Sequence, residues 1–301
     1  MENQLKSNPN IAIVGATGVV GSEFISILTE RKFPHNEIRL FASASSKGEV
    51  YSVCGKEVEI EELNGADFTG IDLILGASSA ELAKDYIPKA IEAGAMVVDN
   101  SSYFRMDPNV PLVVPEVNAD ILKTTKSKVI ANPNCSTIQM MPLLNALHKA
   151  KGLERVIIST YQAVSGAGRD ALDELFKQTQ SVYTQQEAPS EAFMHPIAFN
   201  CIPQIDTMLD DGYTKEEHKM INESRKILDI PELRISATAV RVPVFHAHAE
   251  SITVDLGSKM TVAECCELFS KIPGVKVFEN PNDYPMQINA AGKDEIFVGR
   301  I

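Results

Sequence analysis

Residues 10–21 read NIAIVGATGVVG, and this stretch predicts the fold class. Residues 10–14 form a short apolar run typical of a buried strand, and a helix is predicted over residues 19–32. The glycines between them permit a tight turn, close approach of a pyrophosphate and close packing of helix on strand. A plain glycine turn is the alternative, but its position between a strand and a helix favours dinucleotide binding at the helix N-terminus. The residues that this turn offers to a cofactor are Gly15, Thr17, Gly18, Val19, Val20 and Gly21.

The chain divides into two patterns of predicted elements. Up to residue 133, short apolar strands alternate with helices, which predicts a doubly wound α/β domain of the Rossmann type with a parallel sheet. Beyond it, strands and helices follow in a looser order, which predicts a separate α+β domain. We therefore expect a nucleotide-binding domain at 1–133 and a catalytic domain at 134–301. Strands are predicted at 37–41, 71–75, 95–98, 128–131, 155–161, 234–244 and 250–255, and helices at 80–93, 136–149, 167–186 and 215–228.

Composition limits the class of partner. The 301 residues include 44% hydrophobic and 23% charged residues, which is ordinary for a globular protein. Lys and Arg number 28 against 40 Asp and Glu, and the net charge of −12 argues against nucleic acid and anionic membranes as partners. The sequence has no C-x-x-C pair, no signal-peptide pattern and no apolar run of 18 residues. We expect a cytoplasmic protein with reduced thiols and a small-molecule substrate.

The loop after the second predicted strand favours NADP(H) over NAD(H). An NAD site typically has an Asp or Glu at this position to bind the ribose hydroxyls. Residues 41–47 instead read FASASSK, without an acidic residue. The hydroxyls of Ser43, Ser45 and Ser46 and the ammonium of Lys47 would suit a 2′-phosphate, which a carboxylate would repel. A solvated polar loop is the alternative interpretation.

Cys135 stands where a predicted strand gives way to a helix, in the stretch ANPNCSTIQ at residues 131–139. The partial positive charge at a helix N-terminus favours the nucleophilic thiolate. The backbone N–H groups there and the side chain of Asn134 would stabilise an oxyanion. Pro142 lies inside this helix, where it should kink it or mark its true start. The remaining cysteines are expected to be inert small hydrophobic residues: Cys54, Cys201, Cys265 and Cys266.

Six motifs occur in one order over nearly the whole chain. They are GATGVVG (15–21), NSSYFR (100–105), NPNCST (132–137), QAVSGAG (162–168), EEHK (216–219) and RVPVFHAH (241–248). In these motifs the chain resembles the aspartate-β-semialdehyde dehydrogenases of the bacterial type. The resemblance implies NADPH-dependent reduction of L-aspartyl-β-phosphate to the semialdehyde through a cysteine thioester, in lysine, threonine and methionine biosynthesis. It also implies a homodimer or homotetramer assembled through the second domain.

The resemblance further implies a role for particular residues. Cys135 matches the nucleophile, and His248 matches the acid or base, a role that its near-neutral reference pKa suits. Glu216 and Lys219 are also three residues apart on a helix, so a solvated ion pair is the alternative for them. The residues matched to substrate binding are Arg241 for the carboxylate, Glu216 for the amine, Arg105 and Lys219 for the phosphate, Gln162 for the acyl group, and Asn134 beside the nucleophile. Ser78, Ser165 and Gly166 join the residues expected to contact the cofactor.

Other interpretations remain open at this point. His246 and His248 form an H-x-H pair, but no third ligand lies near in sequence, and no metal site is expected. The related N-acetyl-γ-glutamyl-phosphate reductases use the same chemistry, and a non-catalytic NADP-sensing Rossmann protein is a further alternative. The chain ends at Ile301, before a final helix that the resemblance implies for the family and that packs on its nucleotide domain.

Overall fold

The computed structural model describes residues 5–187, 190–280 and 282–301. Contacts between backbone positions divide the chain into two compact units. The first consists of Met1–Val113 with Ala119–Pro133, and the second of Val114–Asn118 with Asn134–Ile301. Among the described residues, no helix is long and apolar enough to span a bilayer.

Within its described residues, the first unit contains a seven-stranded sheet with the strand order β3-β4-β2-β1-β5-β6-β7. Its strands are β1 (Ile11–Val14), β2 (Ile38–Ala42), β3 (Val50–Val53), β4 (Lys56–Glu62), β5 (Leu73–Gly76), β6 (Met96–Asp99) and β7 (Val129–Ala131). The helices α1 (Val19–Glu30) and α2 (Ala80–Glu92) follow β1 and β5. The strand pairs are parallel from β4 to β7, while β3 runs antiparallel to β4. This is the doubly wound sheet that the alternation of strands and helices predicted.

Burial explains which strands the sequence could predict. Every residue of β1 is buried, as expected for a central parallel strand covered on both faces. The β3–β4 hairpin was not predicted, because β4 reads KEVEIEE and buries only Ile60. A charged edge strand of this kind does not show the apolar run by which a buried strand is recognised.

The second unit has a three-stranded sheet in its described residues, with β8 (Leu153–Gln162) between β9 (Arg234–Arg241) and β10 (Ala249–Leu256). The central strand is parallel to β9 and antiparallel to β10. The remaining elements are α3 (Pro115–Asn118), α4 (Cys135–Lys151), α5 (Arg169–Thr184), α6 (Lys215–Leu228), α7 (Val262–Ser270), β11 (Val275–Phe278), α8 (Gln287–Ala290) and β12 (Ile296–Gly299). One face of the sheet is covered by α4 and α6, which pack on β8 and β10 and on β9.

The helix α4 begins at Cys135 and continues through Pro142 to Lys151. Of the two alternatives for Pro142, the one in which it marks the true start of the helix is therefore wrong. Asn134 fixes the start instead, because its Oδ1 accepts hydrogen bonds from the backbone N–H groups of Ser136 (3.0 Å) and Thr137 (3.3 Å). The side chain of Asn134, one residue before Cys135, thus fixes where α4 begins and where the thiol lies.

Candidate functional site

The glycine turn of the first unit can accept backbone-bound phosphates. Gly15 adopts φ +81°, and a Cβ there would lie 2.5 Å from the carbonyl oxygen of Ala77. A Cβ on Gly21 would collide with the carbonyl oxygen of Gly15, so α1 packs closely on the turn. Gly18, the residue before α1, is exposed, and a Cβ there would meet only the oxygen of Gly15, at 3.3 Å. The first N–H groups of a helix have no partner within the helix, and such groups suit a pyrophosphate.

Four serines follow the two strands that flank β1. Ser78 follows β5, the strand beside β1, and its backbone nitrogen would lie 3.3 Å from a Cβ on Gly15. Ser43 and Ser45 follow β2 on the other side of β1, and their hydroxyls are exposed and 2.8 Å apart. Ser46 completes the same short 3₁₀ turn, Ala44–Ser46. The residues expected to bind one dinucleotide thus line one edge of the sheet, at the carboxyl ends of neighbouring strands.

Two cations expected to bind anions in the first unit already have contacts there. The ammonium of Lys47 lies 3.5 Å from the carboxylate of Glu62. Arg105 is buried, and its terminal nitrogen donates a hydrogen bond of 2.8 Å to the backbone oxygen of Asn100. The sequence did not indicate either contact.

In the second unit, Cys135 is exposed at the first position of α4, while Asn134 is buried beside it. Asn134 uses three groups at once. Its side-chain oxygen caps the helix, its side-chain nitrogen donates to Glu216 Oε1 at 2.9 Å, and its backbone N–H donates to Glu223 Oε2 at 2.6 Å. Both carboxylates belong to α6, so this helix holds the N-terminus of α4 in place, and with it the thiol of Cys135.

Glu216 is the centre of a buried polar cluster. Its Oε1 accepts from Asn134 and, at 3.1 Å, from Gln162 at the end of β8, and its Oε2 lies 3.1 Å from the ammonium of Lys219. Burial raises the pKa of Glu216, but the charge of Lys219 and the two amide hydrogen bonds outweigh it, so the pKa lies below its usual value. Glu216 is only 5% exposed, which rules out the solvated ion pair that its spacing with Lys219 allowed.

Lys219 is shared between two carboxylates, since its ammonium also lies 2.8 Å from Asp206. Burial lowers the pKa of Lys219, but Glu216 and Asp206 outweigh that effect and raise it, so the ammonium stays charged. A phosphate that approaches Lys219 therefore meets a cation whose charge is already balanced.

Arg241 and His248 meet at the turn that follows β8. A terminal nitrogen of Arg241 donates to the carbonyl oxygen of Ala163 at 2.7 Å, and the N–H of Ala163 donates to His248 Nδ1 at 3.0 Å. Gly166 is exposed and lies next to both side chains. A Cβ at this position would lie 3.2 Å from the Arg241 nitrogen and 3.3 Å from His248 Nε2. Ser165 precedes Gly166 in the same 3₁₀ turn, and the backbone N–H of Ser165 donates to the carbonyl oxygen of Phe245. The guanidinium of Arg241 and the imidazole of His248 therefore both contact this short turn. The neighbouring His246 is exposed.

His248 is neutral at pH 7. Burial and the charge of Arg241 lower its pKa to about 4, with Glu216 opposing them. Because Nδ1 accepts the N–H of Ala163, the single proton of the neutral ring is on Nε2. The pKa of Arg241 is lowered by burial and raised in part by Glu216 and Cys135, which means that the thiol and the guanidinium act on one another electrostatically.

Sequence reasoning missed three contributors to this site. Glu223 follows Glu216 by seven residues on α6, a spacing that places both acids on one face of the helix. This spacing was the signal that the sequence offered, and both residues are buried in the structure. Asp206 lies in a loop, and Ala163 acts only through its backbone, so neither has a signal in the sequence.

Both units match known family models. Residues 10–125 match the description "Semialdehyde dehydrogenase, NAD binding domain", and residues 144–301 match "Semialdehyde dehydrogenase, dimerisation domain". The class that the fold and the thiol site define is therefore the semialdehyde dehydrogenases, which use a nicotinamide cofactor.

Similar proteins narrow this class. The chain is 49% identical over 296 residues to the aspartate-semialdehyde dehydrogenase of Aquifex aeolicus, covering 97% of this chain and 87% of that protein. It is 43% identical over 303 residues to that of Bacillus subtilis, covering 97% and 87%. The solved structure of aspartate semialdehyde dehydrogenase II from Vibrio cholerae, complexed with ASA, has a TM-score of 0.95 at 42% identity and covers 98% of this chain and 88% of that one. The chain belongs to the aspartate-semialdehyde dehydrogenase family.

The charge of Glu216 predicts a pH-dependent contribution to stability. Its pKa in the folded chain is below the usual value of 4.5, so its contribution is complete above that pH and is lost as the pH falls through the folded pKa. We expect Glu216→Gln to lower the free energy of unfolding at pH 7 by about 2 kcal/mol, and the difference to shrink below pH 4.5. Urea unfolding followed by circular dichroism measures it.

Glu267→Gln is the matched control, because Glu267 is an exposed carboxylate paired with Lys271 on α7. It should leave the unfolding midpoint unchanged at every pH. A Glu216→Gln difference that stays constant from pH 7 down to pH 3 would contradict the assignment of the effect to the carboxylate charge.

Proposed function

We propose that this chain catalyses the reversible, NADPH-dependent reduction of L-aspartyl-β-phosphate to L-aspartate-β-semialdehyde and phosphate, in lysine, threonine and methionine biosynthesis. The observation that carries the proposal is the exposed Cys135 at the start of α4, in the unit where Arg241 and His248 meet at one turn. Support comes from membership of the family. Residues 1–133 are proposed to bind the cofactor and residues 134–301 to carry the acyl chemistry. The five cysteines all lie in the described residues and form no disulfide, and we propose a cytoplasmic location.

The first step is attack by the Cys135 thiolate on the β-acyl carbon. A carbon–sulfur bond forms, the carbon–oxygen bond to phosphate breaks, and inorganic phosphate leaves with the electron pair. The N-terminus of α4 and the guanidinium of Arg241 both favour the anionic form of the sulfur. The product of this step is a thioester on Cys135.

The second step releases the aldehyde from this thioester. NADPH, which the glycine turn at residues 15–21 would hold, would supply a hydride for the acyl carbon. His248 holds a proton on Nε2 in its neutral form, so it can donate a hydrogen bond to the acyl oxygen as that oxygen gains negative charge. The sulfur then leaves again as thiolate.

Recognition of the substrate is assigned to the charged residues of the site. Arg241 presents a planar fork that suits the α-carboxylate, and the ionised Glu216 suits the α-amine. Gln162, which contacts Glu216, is proposed to position the acyl group. Arg105 and Lys219 are proposed to bind the phosphate.

Replacement of the nucleophile tests the mechanism. We expect Cys135→Ser to lower the rate by about 10⁴-fold or more, because the alcohol lacks the thiolate form, while the affinity for NADPH is unchanged. The assay is the absorbance of NADPH formed from aspartate semialdehyde, phosphate and NADP⁺, with binding followed by fluorescence. Cys266→Ser on α7 is the control and should keep full activity.

The same assay separates the alternatives. Turnover of N-acetylglutamate semialdehyde alone would identify an N-acetyl-γ-glutamyl-phosphate reductase, whose acetylated substrate has no cation for Glu216. NADPH binding without turnover of either aldehyde would identify a nucleotide-sensing protein.

We propose NADP(H) rather than NAD(H) as the cofactor, on the basis of the exposed hydroxyls after β2. Ser43→Asp places a carboxylate where the 2′-phosphate is expected. We expect it to raise the KM for NADPH about 10-fold or more through charge repulsion, with the KM for NADH unchanged or lower. Ser26→Asp, at an exposed position on α1, is the control. Equal effects on both cofactors would contradict the assignment.

We propose that two copies associate through the open face of the three-stranded sheet, as a dimer or as part of a tetramer. Along β8 the side chains alternate, and Ile157 and Tyr161 are 39% and 45% exposed on the face that turns away from α4 and α6. Val240 of β9 and Thr253 of β10 extend this face, since they pair with Tyr161 and Ile157. The family model that matches this unit is described as a dimerisation domain.

A charged substitution tests this surface. Light scattering should give at least twice the chain mass of 32.9 kDa for the unchanged protein. Ile157→Lys should yield monomers, because a buried lysine would lack a partner at the interface. Leu82→Lys, at an exposed position of α2, should leave the mass unchanged. An unchanged mass for Ile157→Lys would exclude this face.

A further inference from the structure

Residues 190–202, between α5 and α6, are tied to α5 by two buried side chains. Glu174 and Gln178 lie one turn apart on this helix, and both are buried. Glu174 Oε2 accepts hydrogen bonds from the backbone N–H groups of residues 191–192, at 2.7 and 2.5 Å. Gln178 Oε1 accepts them from residues 197–198, at 2.8 and 3.1 Å. The helix therefore fixes the backbone of this segment at two places.

Glu174 and Gln178 also fix one another. Gln178 Nε2 donates to Glu174 Oε1 at 3.0 Å and to the hydroxyl of Ser190 at 3.2 Å. Because its amide oxygen already faces residues 197–198, the amide group cannot be turned around without losing those hydrogen bonds. Both oxygens of Glu174 therefore act as acceptors, which a carboxylate allows and an amide does not.

The far end of this segment pairs with Arg241. Ile202 exchanges both backbone hydrogen bonds with Arg241, at 3.0 and 2.9 Å, in an antiparallel bridge at the end of β9. Ile197 and Ile202 share one buried apolar cluster with Val164 of the turn after β8, and Phe193 packs against this cluster. Backbone and side-chain contacts thus join segment 190–202 to the elements that hold Arg241.

Phe193 lies against the charged group of Arg241. The Cζ atom of Arg241 is over the Phe193 ring, 5.9 Å from its centroid, a distance at which an aromatic face attracts a cation. This attraction is stronger for a buried cation, and Arg241 is buried. A guanidinium binds a carboxylate through N–H groups in its own plane, and it stacks on an aromatic ring through its face. The ring can therefore hold Arg241 without using the donors that a carboxylate needs.

We propose that Phe193, fixed in place by Glu174 and Gln178 through segment 190–202, is a positioning residue that orients Arg241 for the α-carboxylate of the substrate. In the proposed function, on which this role rests, Arg241 binds that carboxylate. An arginine side chain loses rotamer freedom when it binds a ligand. Contacts that order Arg241 beforehand reduce this loss, so the effect should be confined to substrates that have the carboxylate.

A substrate without the carboxylate separates this role from a structural one. 3-Aminopropanal keeps the aldehyde and the amine of aspartate semialdehyde and has a hydrogen in place of the carboxylate. Phe193→Leu keeps an apolar side chain but removes the ring. With phosphate and NADP⁺, we expect it to lower kcat/KM about fivefold or more for aspartate semialdehyde and to change it less than about twofold for 3-aminopropanal. Phe193→Tyr retains the ring and should restore kcat/KM.

Glu174→Gln tests how the segment is held. Its amide directs a donor either at residues 191–192 or at the Gln178 amide, so one of these contacts is lost. We expect kcat/KM to fall about threefold or more for aspartate semialdehyde alone. Phe176→Leu, at an exposed position of α5, and Glu267→Gln, an exposed carboxylate variant, are the controls and should match the unchanged protein with both aldehydes.

Chemical labelling tests the contact without turnover. Phenylglyoxal modifies guanidinium groups, and its rate at Arg241 is read by mass spectrometry relative to the exposed Arg155 of the same chain. We expect Phe193→Leu to speed labelling of Arg241 about threefold or more, because the ring no longer holds this group. Labelling of Arg155 should be unchanged.

The outcomes separate the two proposals. Unchanged labelling of Arg241 in Phe193→Leu overturns the positioning role, as do equal losses of kcat/KM with the two aldehydes. If Glu174→Gln fails to fold, or if 3-aminopropanal is not turned over, the labelling of Phe193→Leu decides. If the unchanged protein does not turn over aspartate semialdehyde, the proposed function fails, and labelling still decides whether Phe193 holds Arg241.

Discussion

Two buried carboxylates of α6 hold the N-terminus of α4, and the candidate site depends on this interaction. Glu216 and Glu223 accept hydrogen bonds from the side chain and the backbone of Asn134. Isolated buried carboxylates are costly, but these lie against hydrogen-bond donors, and Glu216 also faces Lys219. The position of Cys135 is therefore set by the hydrogen bonds that Asn134 donates to two buried carboxyl groups of α6.

A backbone contact has a comparable role at the turn after β8. Ala163 contributes only through its backbone. Its carbonyl oxygen accepts a hydrogen bond from Arg241, and its N–H donates one to His248. The imidazole tautomer follows from this backbone contact rather than from another side chain. The turn after β8 thus orients the guanidinium and sets the tautomer of the imidazole.

Local patterns predicted the fold well, and contacts distant in sequence were not predictable. The strand at residues 10–14, the glycine turn and the helix start at Cys135 depend on neighbouring residues, and the structure contains all of them. The β3–β4 hairpin was missed because five of the seven residues of β4 are charged. Asp206 and Ala163 contribute through tertiary contacts, and no local pattern marks such contacts. The alternative in which Pro142 marks the start of α4 was wrong for the opposite reason, since the cap at Asn134 fixes an earlier start.

The exposed Gly166 has a consequence for how the site could be altered. A methyl group there would touch the Arg241 nitrogen and His248 Nε2 at 3.2 and 3.3 Å, which is closer than ordinary van der Waals contact. Gly166→Ala would thus push the guanidinium of Arg241 and the imidazole of His248 away from the new methyl group by a few tenths of an ångström. Every ionisable group of the site would be retained. The spacing of the two side chains could be tuned through this one backbone position, independently of their chemistry.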